Sequence, residues 1–66
     1  MDIRFLFRDR GVTPREAAKA ARRHISTAYR WRNGEIDPDA EALVALRAAG
    51  LLTTADLRAG GVEVIR

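Results

Sequence analysis

The sequence contains no cysteine and only one histidine, and it has no long apolar segment. Without cysteine the chain can form neither a disulfide nor a thiolate metal site, and a lone histidine supplies too few ligands for zinc. No apolar run is long enough to predict a membrane span, and the patch at residues 1–7 is too short for a signal peptide. We therefore expect a cytoplasmic protein that binds no metal and no cofactor.

The sequence also lacks a recognisable set of catalytic residues. It has no Ser-His-Asp series and no glycine-rich phosphate loop, and 66 residues predict one domain that is too small to enclose a substrate pocket. The acidic cluster Asp37, Asp39 and Glu41 is explained by the preference of carboxylates for a helix N-terminus. We therefore expect no enzyme activity.

Basic residues are concentrated in the first half of the chain. Residues 1–34 hold nine Lys or Arg and three acids, a net charge of +6, whereas residues 35–66 hold three Arg and six acids, a net charge of −3. Such segregation creates a face of positive potential, which favours a polyanionic partner. A solvated basic surface without a binding role is the alternative interpretation.

Residues 3–7 predict a first helix, because their apolar side chains recur at helical spacing between Asp2, a candidate N-cap, and Gly11, a candidate terminator. The same segment also alternates as an edge strand would. We favour the helix because Asp2 and Gly11 bracket it.

A helix-turn-helix is predicted over residues 13–34. Thr13, Pro14 and Glu16 occupy the N-cap, N1 and N3 positions of a capping box, so the second helix begins at Pro14. It must stop and turn within residues 22–25. Either His24 or Ser26 then caps a third helix, which the Asn-Gly pair at 33–34 ends.

The remaining segments predict more helix and a different tail. Asp37 as N-cap and Pro38 at N1 predict a fourth helix over residues 38–49, with Leu43, Val44 and Leu46 facing inward. Leu51 and Leu52 are expected in the core, Thr53 or Thr54 caps a brief helical turn at 55–58, and residues 62–66 are expected as a short strand or an ordered arm.

In this order the motifs resemble those of small helix-turn-helix regulators related to phage Cro and repressor proteins. The resemblance covers about residues 3–52. It rests on an apolar helix ending in Gly-apolar-Thr, a helix with Glu and Ala, a Trp-x-x-Gly ending, and a proline before a Leu-rich helix. The corresponding residues are 6–13, Glu16, Ala18, 31–34, Pro38 and 43–46.

The resemblance implies a compact all-α, lambda-repressor-like domain of four to five helices over residues 1–59, with a tail at 60–66. It implies a sequence-specific transcription regulator, a repressor of the phage or prophage type, that binds double-stranded DNA as a homodimer. Arg22 and Arg23 depart from the family's Gly-aliphatic turn, and Ala28 replaces its usual aliphatic residue. Because a buried unpaired arginine is costly, Arg23 is expected outside the core. Inward rotation of Ile25 in its place is the alternative, which leaves the start of the third helix open between 24 and 26.

The third helix supplies the predicted DNA contacts. Ser26, Tyr29 and Arg30 share one face, and Arg30 can donate two hydrogen bonds to a guanine. Trp31 is expected in the core. The predicted base-reading residues are Ile25, Ser26, Thr27, Tyr29 and Arg30.

The predicted phosphate contacts surround this face, and Arg15 is included because it resembles a family position that donates to phosphate. They are Arg15, Arg22, Arg23, His24, Arg32 and Asn33. The predicted dimer contact consists of the apolar side chains of the tail, Val62, Val64 and Ile65. The alternative is that these side chains pack on the core of their own chain. The alternative function is a protein-interaction or accessory module of a replication or packaging complex.

Overall fold

Five helices occur in residues 1–61, the part of the chain that the computed structural model describes. They are α1 (Arg4–Arg8), α2 (Pro14–Ala21), α3 (Ile25–Asn33), α4 (Ala40–Ala48) and α5 (Thr54–Ala59). No strand occurs within this range, so the predicted all-α fold is confirmed. None of these five helices is long and apolar enough to cross a membrane. The tail interpretation, with Val62, Val64 and Ile65 as dimer contacts, lies outside the described residues.

Residues 4–8 form a helix rather than the alternative edge strand. The prediction of Asp2 as N-cap was wrong by one position, because Ile3 occupies it. Asp2 still satisfies a free backbone donor, since its Oδ1 accepts from the Arg4 N–H at 3.0 Å. Gly11 adopts the expected left-handed conformation, with φ of 69°, but the helix ends before it, at Arg8, with Asp9 as the C-cap. This turn brings the Val12 N–H to 3.0 Å from the Leu6 carbonyl and directs the chain toward α2.

The predicted capping box begins α2. The Thr13 hydroxyl accepts from the Glu16 N–H at 3.2 Å, and the Glu16 carboxylate accepts from the Thr13 N–H at 3.4 Å. The helix ends at Ala21, and its C-cap is Arg22, whose backbone is left-handed with φ of 56° and ψ of 45°. For an L-residue with a side chain this conformation is costly, so the turn into α3 carries local strain.

The predicted start of α4 was wrong. Asp39, and not Asp37, is the N-cap, and its Oδ1 accepts from the Ala42 N–H at 2.8 Å. Pro38 lies before the helix and is buried. Leu43 and Leu46 are buried as predicted, whereas Val44, expected in the core, is 58% exposed, because the helix turns Ala42 inward in its place.

The cap of α5 is Thr53, which forms a second capping box with Asp56. The Asp56 carboxylate also accepts from Arg10 through Nη1 at 2.7 Å and Nη2 at 2.8 Å. The Arg10 guanidinium lies 5.0 Å from the centre of the Phe5 ring. The Arg10 hydrogen bonds, followed by the Thr53 N–H, hold the pKa of Asp56 far below its usual range. This ion pair ties α5 to the α1–α2 connection.

The core contains both large side chains and alanines. α2 packs against both α3 and α4, and α1 packs against α3. Where α2 meets its neighbours its buried residues are all alanine, and such small side chains let helix backbones approach closely. The buried apolar residues are Ile3, Leu6, Ala17, Ala18, Ala21, Ala28, Trp31, Ala42, Leu43, Leu46, Leu52 and Leu57.

Candidate nucleic-acid interface

The connection between α2 and α3 consists of Arg22, Arg23 and His24. The backbone of this connection is hydrogen-bonded to α2, since the Arg23 N–H donates to the Ala18 carbonyl at 2.9 Å. His24 is the N-cap of α3, and its Nδ1 accepts from the Ser26 N–H at 3.2 Å. Of the two predicted caps, His24 and not Ser26 fills the position. The third helix therefore begins at Ile25.

Two residues hold α3 to the rest of the protein. Ala28 is fully buried and Trp31 is 2% exposed, so Trp31 lies in the core as predicted. These residues are three positions apart, on one side of the helix. The opposite side of α3 is consequently available to a partner.

The exposed side of α3 carries three of the five predicted base-reading residues. Ser26, Tyr29 and Arg30 are exposed, and at helical spacing they share one face. We call this set the α3 face. The structure does not bring Ile25 and Thr27 fully onto it. Both are half-buried, and Ile25 packs against the core.

Some of the predicted phosphate contacts already have hydrogen-bond or ion-pair partners within the protein, and others do not. Arg15, Arg22 and Arg32 are exposed and form no ion pair with another residue in the range 1–61. The Arg32 guanidinium lies 4.7 Å from the centre of the Tyr29 ring, a cation–π contact that restrains it beside the α3 face.

Three other predicted phosphate contacts already have internal partners. Arg23 Nη2 donates to both carboxylate oxygens of Asp39 at 3.1 Å. Its side chain is 33% exposed, so it stays out of the core as expected, with a role at the start of α4 instead. The Ala42 N–H, followed by the Arg23 guanidinium, lowers the pKa of Asp39. His24 uses Nδ1 in its cap, and Asn33 Nδ2 lies 3.5 Å from a Glu35 carboxylate oxygen.

Sequence reasoning missed two basic residues beside α3. Arg4 and Arg8 of α1 line a depression with Phe7 and Arg32. Their spacing of four residues was the available signal, because it places both on one face of a helix.

No family model, curated protein or solved structure matches the chain.

Proposed function

We propose that the chain is a sequence-specific DNA-binding transcription regulator that inserts α3 into the major groove. The observation that carries the proposal is the division of α3 into two sides. Ala28 and Trp31 are buried, while Ser26, Tyr29 and Arg30 are exposed. The major groove is about 12 Å wide and admits one α-helix with its side chains, so an exposed helix of this kind fits it.

The side chains of the α3 face have donors and acceptors suited to base edges and phosphates. Arg30 has two parallel N–H groups for O6 and N7 of guanine, the commonest specific contact to DNA. Tyr29 is 42% exposed, and its hydroxyl can donate to a phosphate. Arg15 and Arg22, at the two ends of α2, are proposed to contact the backbone and fix the register of α3.

Repression by a homodimer is the form of regulation that we propose. A single module of this size buries roughly 600–1,000 Å² on DNA, which gives modest affinity. Two copies on half-sites about 34 Å apart would supply the rest, and the half-sites would form a pseudo-palindrome. A dimer also adds buried surface to a domain that is small for independent stability.

Selection of bound sequences from a random duplex library tests the proposal. The selected motif should show two-fold symmetry, and affinity should fall steeply as salt rises. Absence of any enriched motif would contradict it.

Two arginine variants separate base contacts from backbone contacts. Arg30→Ala should relax discrimination at one base position and cost about 1–3 kcal/mol at the selected site. Arg15→Ala, the matched control, should weaken all duplexes about equally and reduce the salt slope by about 0.9. An unchanged motif for Arg30→Ala would remove Arg30 from the base-reading set.

One observation favours a second candidate function, a protein-interaction module. Val44 is 58% exposed, and it lines a groove of about 580 Å³ between α2 and α4 whose other apolar residues are all alanine. Single exposed apolar side chains are common on protein surfaces, so the contact would use Val44 together with the groove that it lines. An adaptor of this kind would bind all duplexes equally weakly, so the library selection would enrich no motif.

A further inference from the structure

A depression of about 290 Å³ between α1 and α3 is lined by three arginines and one aromatic ring. The residues are Arg4, Phe7, Arg8 and Arg32. We call this set the α1–α3 patch. Two of its guanidinium groups come from one helix and the third from another, so the fold brings together charges that are 24 or more positions apart in the sequence.

The Arg4 side chain lies beside Gly34 at the end of α3. The Arg4 side chain passes so close that a Cβ atom at Gly34 would lie 3.2 Å from its Cδ and Nη1. The left-handed φ of 74° at Gly34 also favours glycine there. A side chain at this position would therefore adopt a strained backbone, and Arg4 would have to shift by a few tenths of an ångström. The Arg4 side chain therefore lies directly against the end of α3.

The arginines of the patch retain free donors. Arg4 donates to Asp2 through Nε and Nη2, at 2.8 and 2.6 Å, which raises the pKa of Arg4 and lowers that of Asp2. Its Nη1 is not used in that pair. Arg8 donates to Asp9 through Nε alone, at 3.2 Å. Within residues 1–61, Arg32 has no carboxylate partner.

The two ion pairs of α1 are weak enough to be exchanged. The Arg8 and Asp9 side chains are 75% and 59% exposed, and those of Arg4 and Asp2 are 56% and 49% exposed. Ion pairs at such exposed positions contribute little to stability, because solvent screens both charges. An incoming oxyanion that accepts from several guanidinium groups can therefore replace the carboxylates, since charge-assisted bonds to two or more arginines are stronger than one exposed pair.

We propose that the α1–α3 patch binds a phosphate of the DNA backbone beside the groove that α3 occupies. This inference rests on the proposed function and extends it to residues that lie outside the helix-turn-helix. The contact between Arg32 and the Tyr29 ring makes the patch continuous with the α3 face. Arg4 and Arg8 thus add residues of α1 to the contacts that α2 makes with the DNA backbone. Asp2 competes with the DNA phosphate for the Arg4 guanidinium.

Salt-dependent binding of the selected duplex by charge variants tests this assignment. Arg8→Gln and Arg4→Gln should each reduce the slope of log K against log salt by about 0.9 and leave the selected motif unchanged. Arg47→Gln, an exposed arginine of α4 outside the patch, is the matched control and should leave the slope nearly as it is. Thermal unfolding should show all three variants folded, because each replaces an exposed side chain in a helix by another helix former.

A variant with the opposite sign tests the competition. Asp2→Asn keeps the oxygen that accepts from the Arg4 N–H but removes the charge, so duplex binding should tighten and its salt slope should steepen. Glu41→Gln on α4 makes the same charge change outside the patch and should have less effect. Equal effects of these two variants would mean that Asp2 acts only through net charge, which would overturn its assignment as a competitor.

The possible outcomes separate this inference from the function on which it rests. Sequence-selective binding by the parent with parental salt slopes in Arg4→Gln and Arg8→Gln would overturn the patch and leave DNA binding by α3 intact. Failure of the parent to select any duplex would overturn both. Inorganic phosphate, titrated in place of chloride at equal ionic strength, should bind the free parent weakly. Tight saturable binding that Arg8→Gln abolishes would assign the patch to free phosphate instead of DNA.

Discussion

Replacement of Arg22 by glycine should stabilise the protein and weaken its binding to DNA. Arg22 has a left-handed backbone, with φ of 56°, and its side chain is exposed. A left-handed residue with a Cβ costs about 1–2 kcal/mol. Glycine removes that cost, but its greater conformational freedom in the unfolded chain offsets about 0.5–1 kcal/mol of the gain in stability. When the lower values and the upper values of the two ranges are paired, the net expectation is a gain of about 0.5–1 kcal/mol.

Thermal unfolding followed by far-UV circular dichroism measures this gain. For a domain of this size, about 0.5–1 kcal/mol corresponds to a rise in Tm of roughly 2–8 °C. Arg23→Gly is the matched control, because the neighbouring residue has no left-handed backbone and donates to Asp39. That variant should have a lower Tm than the parent, since it loses an ion pair and its glycine raises the conformational entropy of the unfolded chain without relieving any strain.

The same Arg22→Gly protein should bind duplex DNA less tightly. Arg22 is one of the proposed phosphate contacts, so its loss should reduce the salt slope by about 0.9 without changing the selected motif. A Tm equal to or below that of the parent would refute the strain assigned to this turn. A raised Tm with parental DNA binding would refute the phosphate contact alone.

Two further predictions concern the caps. Asp56 has a lowered pKa in the folded protein, so its stabilisation is present above the unfolded value of about 3.9 and is lost as pH falls below it. Urea unfolding of Asp56→Asn should therefore show a smaller loss of stability between neutral and acidic pH than the parent, and parallel curves would contradict the role of the Arg10 pair. Thr13→Ala should cost about 0.5–2 kcal/mol through the lost capping bond to the Glu16 N–H. Thr13→Ser keeps the hydroxyl and should behave nearly as the parent, so an equal loss in both would exclude the hydrogen bond as the cause.

The parts of the fold that the sequence predicted depend on local interactions. The capping box of Thr13 and Glu16 joins residues three positions apart, and it forms as expected. Gly11 and Gly34 both adopt the left-handed conformation that ends or follows a helix. Trp31 is buried opposite a polar face, as helical spacing indicates. In each case the signal and the structure that it produces lie within one or two helical turns.

The parts that could not be predicted depend on contacts between distant residues. Asp37 and Asp39 are both suitable N-caps by sequence, and Pro38 favoured the first. Asp39 is the cap in the structure, and its carboxylate also accepts from Arg23, 16 positions earlier in the chain. The inward prediction for Val44 followed from its hydropathy, whereas Ala42 is buried beside Leu43. The α1–α3 patch could not be predicted because it forms only where α1 packs against α3, a contact between helices distant in the sequence.

The division of α3 into a buried and an exposed side has a consequence for evolution and for design. Only Ala28 and Trp31 of this nine-residue helix are fully buried. Substitutions at the outward positions can therefore alter which partner is preferred without a large penalty in folding free energy, since surface changes are usually within about 0.5 kcal/mol. New specificities can arise one residue at a time on an unchanged scaffold, which makes α3 a suitable segment to randomise in a binding library.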